Sequence, residues 1–168
     1  MNLAEDGVVL TNAHVAGEIG ATTKVRFPDG RVFTGVCTAI DRHLDLAIVT
    51  VENAAPLPYA RLAGQSPPAG TPVVDISSPT GYDDWHVSTG QVVRYDDPQQ
   101  QPFGMGTMVH SAWTALGSSG SPLFDLDGHL VALHNSRVVS TGERHAIPYH
   151  EIAQFLARSG VSLRRAAA

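Results

Sequence analysis

The stretch ALGSSGSPLFD, residues 115–125, sets three serines among glycines and runs into an apolar segment. A serine hydroxyl is a weak nucleophile at neutral pH. It attacks a carbonyl only with a base in hydrogen-bond reach and donors aimed at the oxygen that becomes an anion. Glycines beside the serine leave the backbone free to turn its amides towards one point. VVLTNAHVA offers a base, His14, on the turn after an apolar strand, and DRHLDLAIVTV offers Asp45 at the start of another strand to hold that base. Taken singly, each is ordinary. Ser/Gly loops are mostly turns, a histidine after a strand is more often a surface or core residue, and Asp41 is a rival carboxylate in the same turn as Asp45. Together they give histidine, aspartate and serine in chain order, each at the edge of a β segment where loops can converge on a cleft.

Short strands must position these groups. Asp-Gly pairs at 6–7, 29–30 and 127–128 separate segments rich in β-branched residues, the pattern of tight turns joining antiparallel strands. GVVLT (7–11), TKVRF (23–27), RVFTGVCTA (31–39) and LAIVTVE (46–52) make a first β unit. After the proline-bearing loops come TPVVDIS, HVSTGQVVRY, GTMVHSA, SPLFD, HLVALHN and HAIP, which make a second. YHEIAQFLARSG, residues 149–160, reads as a helix, because Tyr149, Ile152, Phe155 and Leu156 recur at spacings of three and four. Gly160 supplies its stop. The polar DDPQQQP, 96–102, reads as a mobile surface loop.

Composition narrows the chemistry. A chain of 168 residues, 43% hydrophobic, is long enough for one domain with a real core. Its formal net charge of -5, with no basic cluster beyond Arg164 and Arg165, argues against nucleic acid as a partner. Apolar runs such as LAIVTV stop far short of the roughly 20 residues of a membrane helix, so no membrane is expected either. The single cysteine, Cys37, and the lack of a basic-then-apolar leader lean towards a reducing, cytoplasmic compartment. Eight histidines raise the question of metal, but there is no HExxH or CxxC pairing, so no metal and no cofactor is expected. The GxSxG elbow of lipases fails because Ser121 stands at its second glycine.

The three chemical stretches resemble those of a chymotrypsin-fold serine peptidase, of the bacterial trypsin-like kind that includes HtrA-like proteases and V8-like glutamyl endopeptidases. LTNAHV is similar to the family's histidine motif, DLAIV to its aspartate strand, and GSSGSP with the following LFDLDGHLVALH to its serine loop and hairpin. The resemblance implies an all-β fold: two six-stranded antiparallel barrels, over residues 1–62 and 67–148, and a C-terminal helix at 149–160, in one peptidase domain. The first barrel is expected to be incomplete, since the family carries another strand upstream whereas this chain starts at MNLAEDG. An open edge exposing unpaired backbone groups would follow.

Carried over by motif, Ser119 is the expected nucleophile, His14 the general base and Asp45, rather than Asp41, the group that orients it. The amides of Gly117 and Ser119 are expected to bind the oxyanion. Thr114 and His134 resemble the pair by which glutamyl endopeptidases of the V8 kind recognise an acidic side chain, so a preference for Glu, Asp or Gln before the cut is an expectation. The backbone of His134, Asn135 and Ser136 is expected to pair with an extended polypeptide substrate as an added strand. Ser118 stands where chymotrypsin-like zymogens carry an acid, so the loop must be shaped by its own contacts, by additional domains or by an activating partner. The other reading is a non-catalytic peptidase-like binding module.

Overall fold

The computed structural model describes residues 1–53, 56–79, 85–161 and 163. Four antiparallel strands form the first sheet: β1 (Val8–Thr11), β2 (Thr22–Arg26), β3 (Val32–Asp41) and β4 (Leu46–Val51) in the order β1-β4-β3-β2. The DG turn after Phe27 closes the β2–β3 hairpin, with Gly30 at φ 86, a conformation that glycine adopts without a steric penalty. The central strand, LAIVTV, is almost wholly buried. It therefore reads as a continuous apolar run rather than an alternating one. The first three residues extend the sheet beside β1, with Leu3 N–H donating to Val8 and Leu10 N–H to Met1. Among the described residues this sheet does not close, as the resemblance implied.

The second sheet does close. Strands β6 (Pro72–Ser77), β7 (His86–Tyr95), β8 (Met108–His110), β9 (Pro122–Phe124), β10 (His129–Arg137) and β11 (Arg144–Pro148) run in the order β11-β8-β7-β6-β9-β10, and β10 pairs back onto β11. A two-residue strand, β5 (Arg61–Leu62), adds in parallel to β10. Sequence periodicity did not reveal it, because two residues carry no period. Residues 96–102, expected as a loop, include a 3-10 turn at Pro98–Gln100, capped by the Asp97 carboxylate accepting from Gln99 N–H.

A single apolar cluster locks the two sheets together. Leu10, Leu46 and Ile48 of the first meet Leu130, Leu133 and Ile147 of the second, and Ile152, Phe155 and Leu156 of helix α2 (Tyr149–Arg158) join them. Each such side chain, once fully buried, contributes roughly 1.5–3 kcal/mol. Strand β10 is buried over most of its length because one face fills the barrel and the other meets this cluster. The loops at the junction thus hang from a rigid frame. No helix among the described residues is long and apolar enough to cross a membrane.

Candidate active site

His14 lies on a one-turn helix, α1 (Ala13–Ala16), entered directly from β1. Asp45 precedes β4 and sits at φ 55, in the left-handed region that is uncommon for a non-glycine residue. Its backbone carbonyl is held there by two donors, Ala13 N–H at 3.0 Å and Asn12 Nδ2 at 3.1 Å. So placed, the carboxylate grips His14 twice: Oδ1 accepts the backbone N–H at 2.9 Å and Oδ2 accepts Nδ1–H at 2.6 Å. Asp45 is buried whereas the imidazole is 51% exposed. The rival Asp41 is occupied elsewhere. It accepts from the amides of His43 and Leu44 and from Arg158 of α2 at 2.8 Å.

The serine loop is built by its own hydrogen bonds. Ser118 N–H donates to Ala115 O at 3.0 Å, closing a turn whose third residue, Gly117, stands at φ 95 as a type II turn requires. A side chain at 117 would also run into the carbonyl of Pro79. Further along, Gly120 N–H donates to His134 O, and His134 N–H donates to Ser121 O, so the loop is stitched to β10. Ser119 Oγ donates to the carbonyl of Asn135 at 3.2 Å, and among the described residues no hydrogen bond joins it to His14.

Asn135 is the residue that sequence reasoning placed but under-read. Its Nδ2 donates to Asp45 Oδ2 at 2.6 Å, its Oδ1 accepts from Gly106 N–H, and its carbonyl takes the Ser119 hydroxyl. The β10–β11 register shifts at this point, between His134 and Ser136. Bulges of this kind re-aim a side chain beside functional sites. Asn135 is thereby bonded both to Asp45, which holds His14, and to Ser119, from elements far apart in sequence.

The two residues expected to line a specificity pocket, Thr114 and His134, are both buried. Thr114 is 1% exposed and, among the described residues, its hydroxyl has no partner. His134 shares a hydrogen bond between its Nδ1 and His110 Nε2 at 3.1 Å. His145, also buried, has its Nδ1 against the Gly106 carbonyl at 2.9 Å. No motif pointed to His110 or His145, since each reads as a strand residue until the barrel closes. Burial, with the Arg144 and His145 charges, pushes His134 down to about 4; burial, then His134, Arg144 and His145, pushes His110 down to about 3. Both rings are neutral at pH 7.

That neutrality has a thermodynamic signature. Rings kept neutral by folding take up protons more readily in the unfolded chain, so stability is complete above about pH 6.5 and is lost as the pH falls towards 4 and then 3. The urea midpoint is expected to drop through this window, and more gently in a His110→Leu/His134→Leu variant. Equal slopes in urea titrations across pH 7 to 4 would contradict the burial argument.

Asp125, Asp127 and His129 bring potential ligand atoms within 4.8 Å of one another at a hairpin turn. Asp125 Oδ1 already accepts the amides of Asp127 and His129, which is how such a turn is closed.

Comparison with known proteins shows the family of the chain. Residues 2–133 match the family described as trypsin-like peptidase domain. The chain is 32% identical over 162 residues to serine protease HTRA2, mitochondrial, of Bos taurus, covering 93% of this chain and 34% of that protein. It is 32% identical over 161 residues to human serine protease HTRA4, covering 92% and 33%. It thus spans about a third of the length of these curated relatives. In fold it is similar to an inactive form of Rv3671c from M. tuberculosis, with a TM-score of 0.79 and 21% identity over 99% of this chain and 82% of that one.

Proposed function

Because the chain belongs to the trypsin-like peptidase domain family, we propose that it is a serine endopeptidase, hydrolysing peptide bonds through an acyl-enzyme on Ser119. The double grip of Asp45 on His14 carries this reading, for it fixes the tautomer. With Nδ1–H donated to the carboxylate, Nε2 keeps its lone pair and can accept a proton. Ser119 Oγ attacks the scissile carbonyl while His14 Nε2 takes its proton. The carbonyl oxygen becomes an anion facing the amides of Gly117 and Ser119, and the C–N bond breaks as the imidazolium returns the proton to the leaving amine. Water repeats the sequence on the ester, releasing the acid and restoring the serine.

An extended substrate pairing with the backbone of His134, Asn135 and Ser136 as an added strand would need the Asn135 carbonyl. Its N–H would displace the Ser119 hydroxyl held there. That frees the hydroxyl for His14.

The pocket favours an acid or amide side chain before the cut. His110 Nδ1 is buried without a partner. A bare lone pair is less costly there than a bare N–H, because an unsatisfied donor loses a strong bond to water. His110 therefore carries its proton on Nε2 and donates to His134 Nδ1, so that His134 presents Nε2–H. This donor and the unpartnered Thr114 hydroxyl can both bond a side-chain oxygen of Glu, Asp or Gln.

Labelling with a fluorophosphonate probe tests the reaction. Modification at Ser119, lost in His14→Ala, is expected, while a well-folded protein that stays unlabelled would indicate a binding module. Peptide-library cleavage tests the pocket: a preference for Glu, Asp or Gln should weaken in Thr114→Val, and indifferent cleavage would remove this assignment.

A further inference from the structure

The loop that carries Ser119 is stitched to β10 on one side. On its other side, residues 117–121 border a cavity of about 920 Å³ whose wall also includes Ile76, Ser77 and Trp85. A polar tether crosses at that point. Asp75, at the centre of β6 and 0% exposed, accepts a 2.6 Å hydrogen bond at Oδ1 from the hydroxyl of Ser121, two residues past Ser119. A carboxylate acceptor makes this one of the stronger kinds of hydrogen bond.

Such a group is not explained by stability. Among the described residues its second oxygen, Oδ2, makes no well-formed hydrogen bond: the Ser77 hydroxyl, on the same face of β6, is near enough to favour the charged carboxylate but not aligned on it, and His86 Nδ1 on the paired strand is buried without a partner. Burial pushes the Asp75 carboxyl up, opposed by the hydroxyls of Ser121 and Ser77 and by His86. An apolar side chain would satisfy this position at lower cost. The Ser121 backbone, meanwhile, joins the two halves of the site: its N–H donates to Ser118 O, and its carbonyl accepts from His134 N–H. Fixing Ser121 fixes both the nucleophile turn and the strand that lines the pocket.

We infer that Asp75 is a positioning residue: by accepting the Ser121 hydroxyl it fixes the loop that presents Ser119 and the Gly117 amide. Ser118, inside that turn, offers no carboxylate that could do so, and its hydroxyl is used on Ala115 N–H. The inference concerns loop order, and its consequence for rate rests on the peptidase reading above.

The experiment separates the two. In an Asp75→Leu/Ser121→Ala variant both partners of this bond go, so neither is left unpaired, and the change is close to neutral or stabilising for the fold. Its melting temperature should equal or exceed that of the parent, while fluorophosphonate labelling of Ser119 slows about ten- to a hundredfold, the scale of a misplacement near 1 Å. Asp75→Asn, whose side-chain oxygen accepts the same bond, should recover most of the rate. Amide hydrogen exchange over residues 117–121 should quicken in the double variant and not in Asp75→Asn. Parent-like labelling and exchange in the double variant would overturn the inference. A parent that does not label refutes the peptidase reading alone, and exchange then decides for Asp75. Were the double variant unfolded, Ser121→Ala, which deletes one oxygen, takes its place: slowed labelling and quickened exchange are expected of it, and parent-like values would overturn the inference.

Discussion

A His14→Ala protein is expected to turn over a peptide substrate with kcat lowered about 10⁶-fold, and adding Ser119→Ala should lower it little further. In the proposed relay, nucleophile and base act as a unit. Without an imidazole the hydroxyl has no acceptor for its proton, and without the hydroxyl the imidazole has nothing to activate. KM should move little, because neither side chain belongs to the strand or pocket that would bind the substrate in the ground state. The fold should tolerate the change. The ring is 51% exposed, and the Asp45 carboxylate keeps its bonds from the His14 backbone N–H and from Asn135 Nδ2. Steady-state kinetics on a fluorogenic peptide, with thermal unfolding as the control, check this. Losses that multiply in the double variant would mean that the two residues act separately, and the relay would be wrong.

Local chemistry was more legible in the sequence than the contacts that tune it. The ten longer strands and the terminal helix were readable because alternation, apolar runs and Asp-Gly turns are local signals; β10, for instance, was read from HLVALHN and extends to Arg137. His14, Asp45 and Ser119 each sit in a motif. The contacts of Asn135, His110 and Asp75 are different, because each depends on which strand lies beside which. Asp75 and Ser121 are 46 residues apart, and Asn135 and Asp45 are 90 apart. Alternation tells that Asp75 points to one face of β6, but only barrel closure decides that the face lies beneath the serine loop. A buried aspartate in the apolar run VVDIS was nonetheless a visible conflict of local preference. Such conflicts concentrate at functional positions.

Asp45→Asn isolates the carboxylate from the geometry. Asparagine adopts the left-handed region more readily than most residues, so φ 55 at this position is retained. Its oxygen is expected to stay on the His14 backbone N–H, where Oδ1 now accepts, because that amide cannot shed its proton whereas the imidazole can shift its own to the other nitrogen. The amide NH2 then takes the place of Oδ2, opposite both His14 Nδ1 and Asn135 Nδ2. His14 can meet that donor only by giving up its Nδ1 proton, which moves the proton to Nε2 and removes the lone pair that should face Ser119. The Asn135 amide loses its acceptor at the same time. With the base in the wrong tautomer, kcat should fall about 10⁴-fold, the scale of the corresponding change in serine peptidases with this triad. Labelling of Ser119 should fall in parallel, whereas an Asp41→Asn control should label like the parent, since that carboxylate serves only the turn and Arg158. Equal damage from the two substitutions would place the orienting acid at neither, and near-parent labelling of Asp45→Asn would show that His14 keeps its tautomer without the carboxylate.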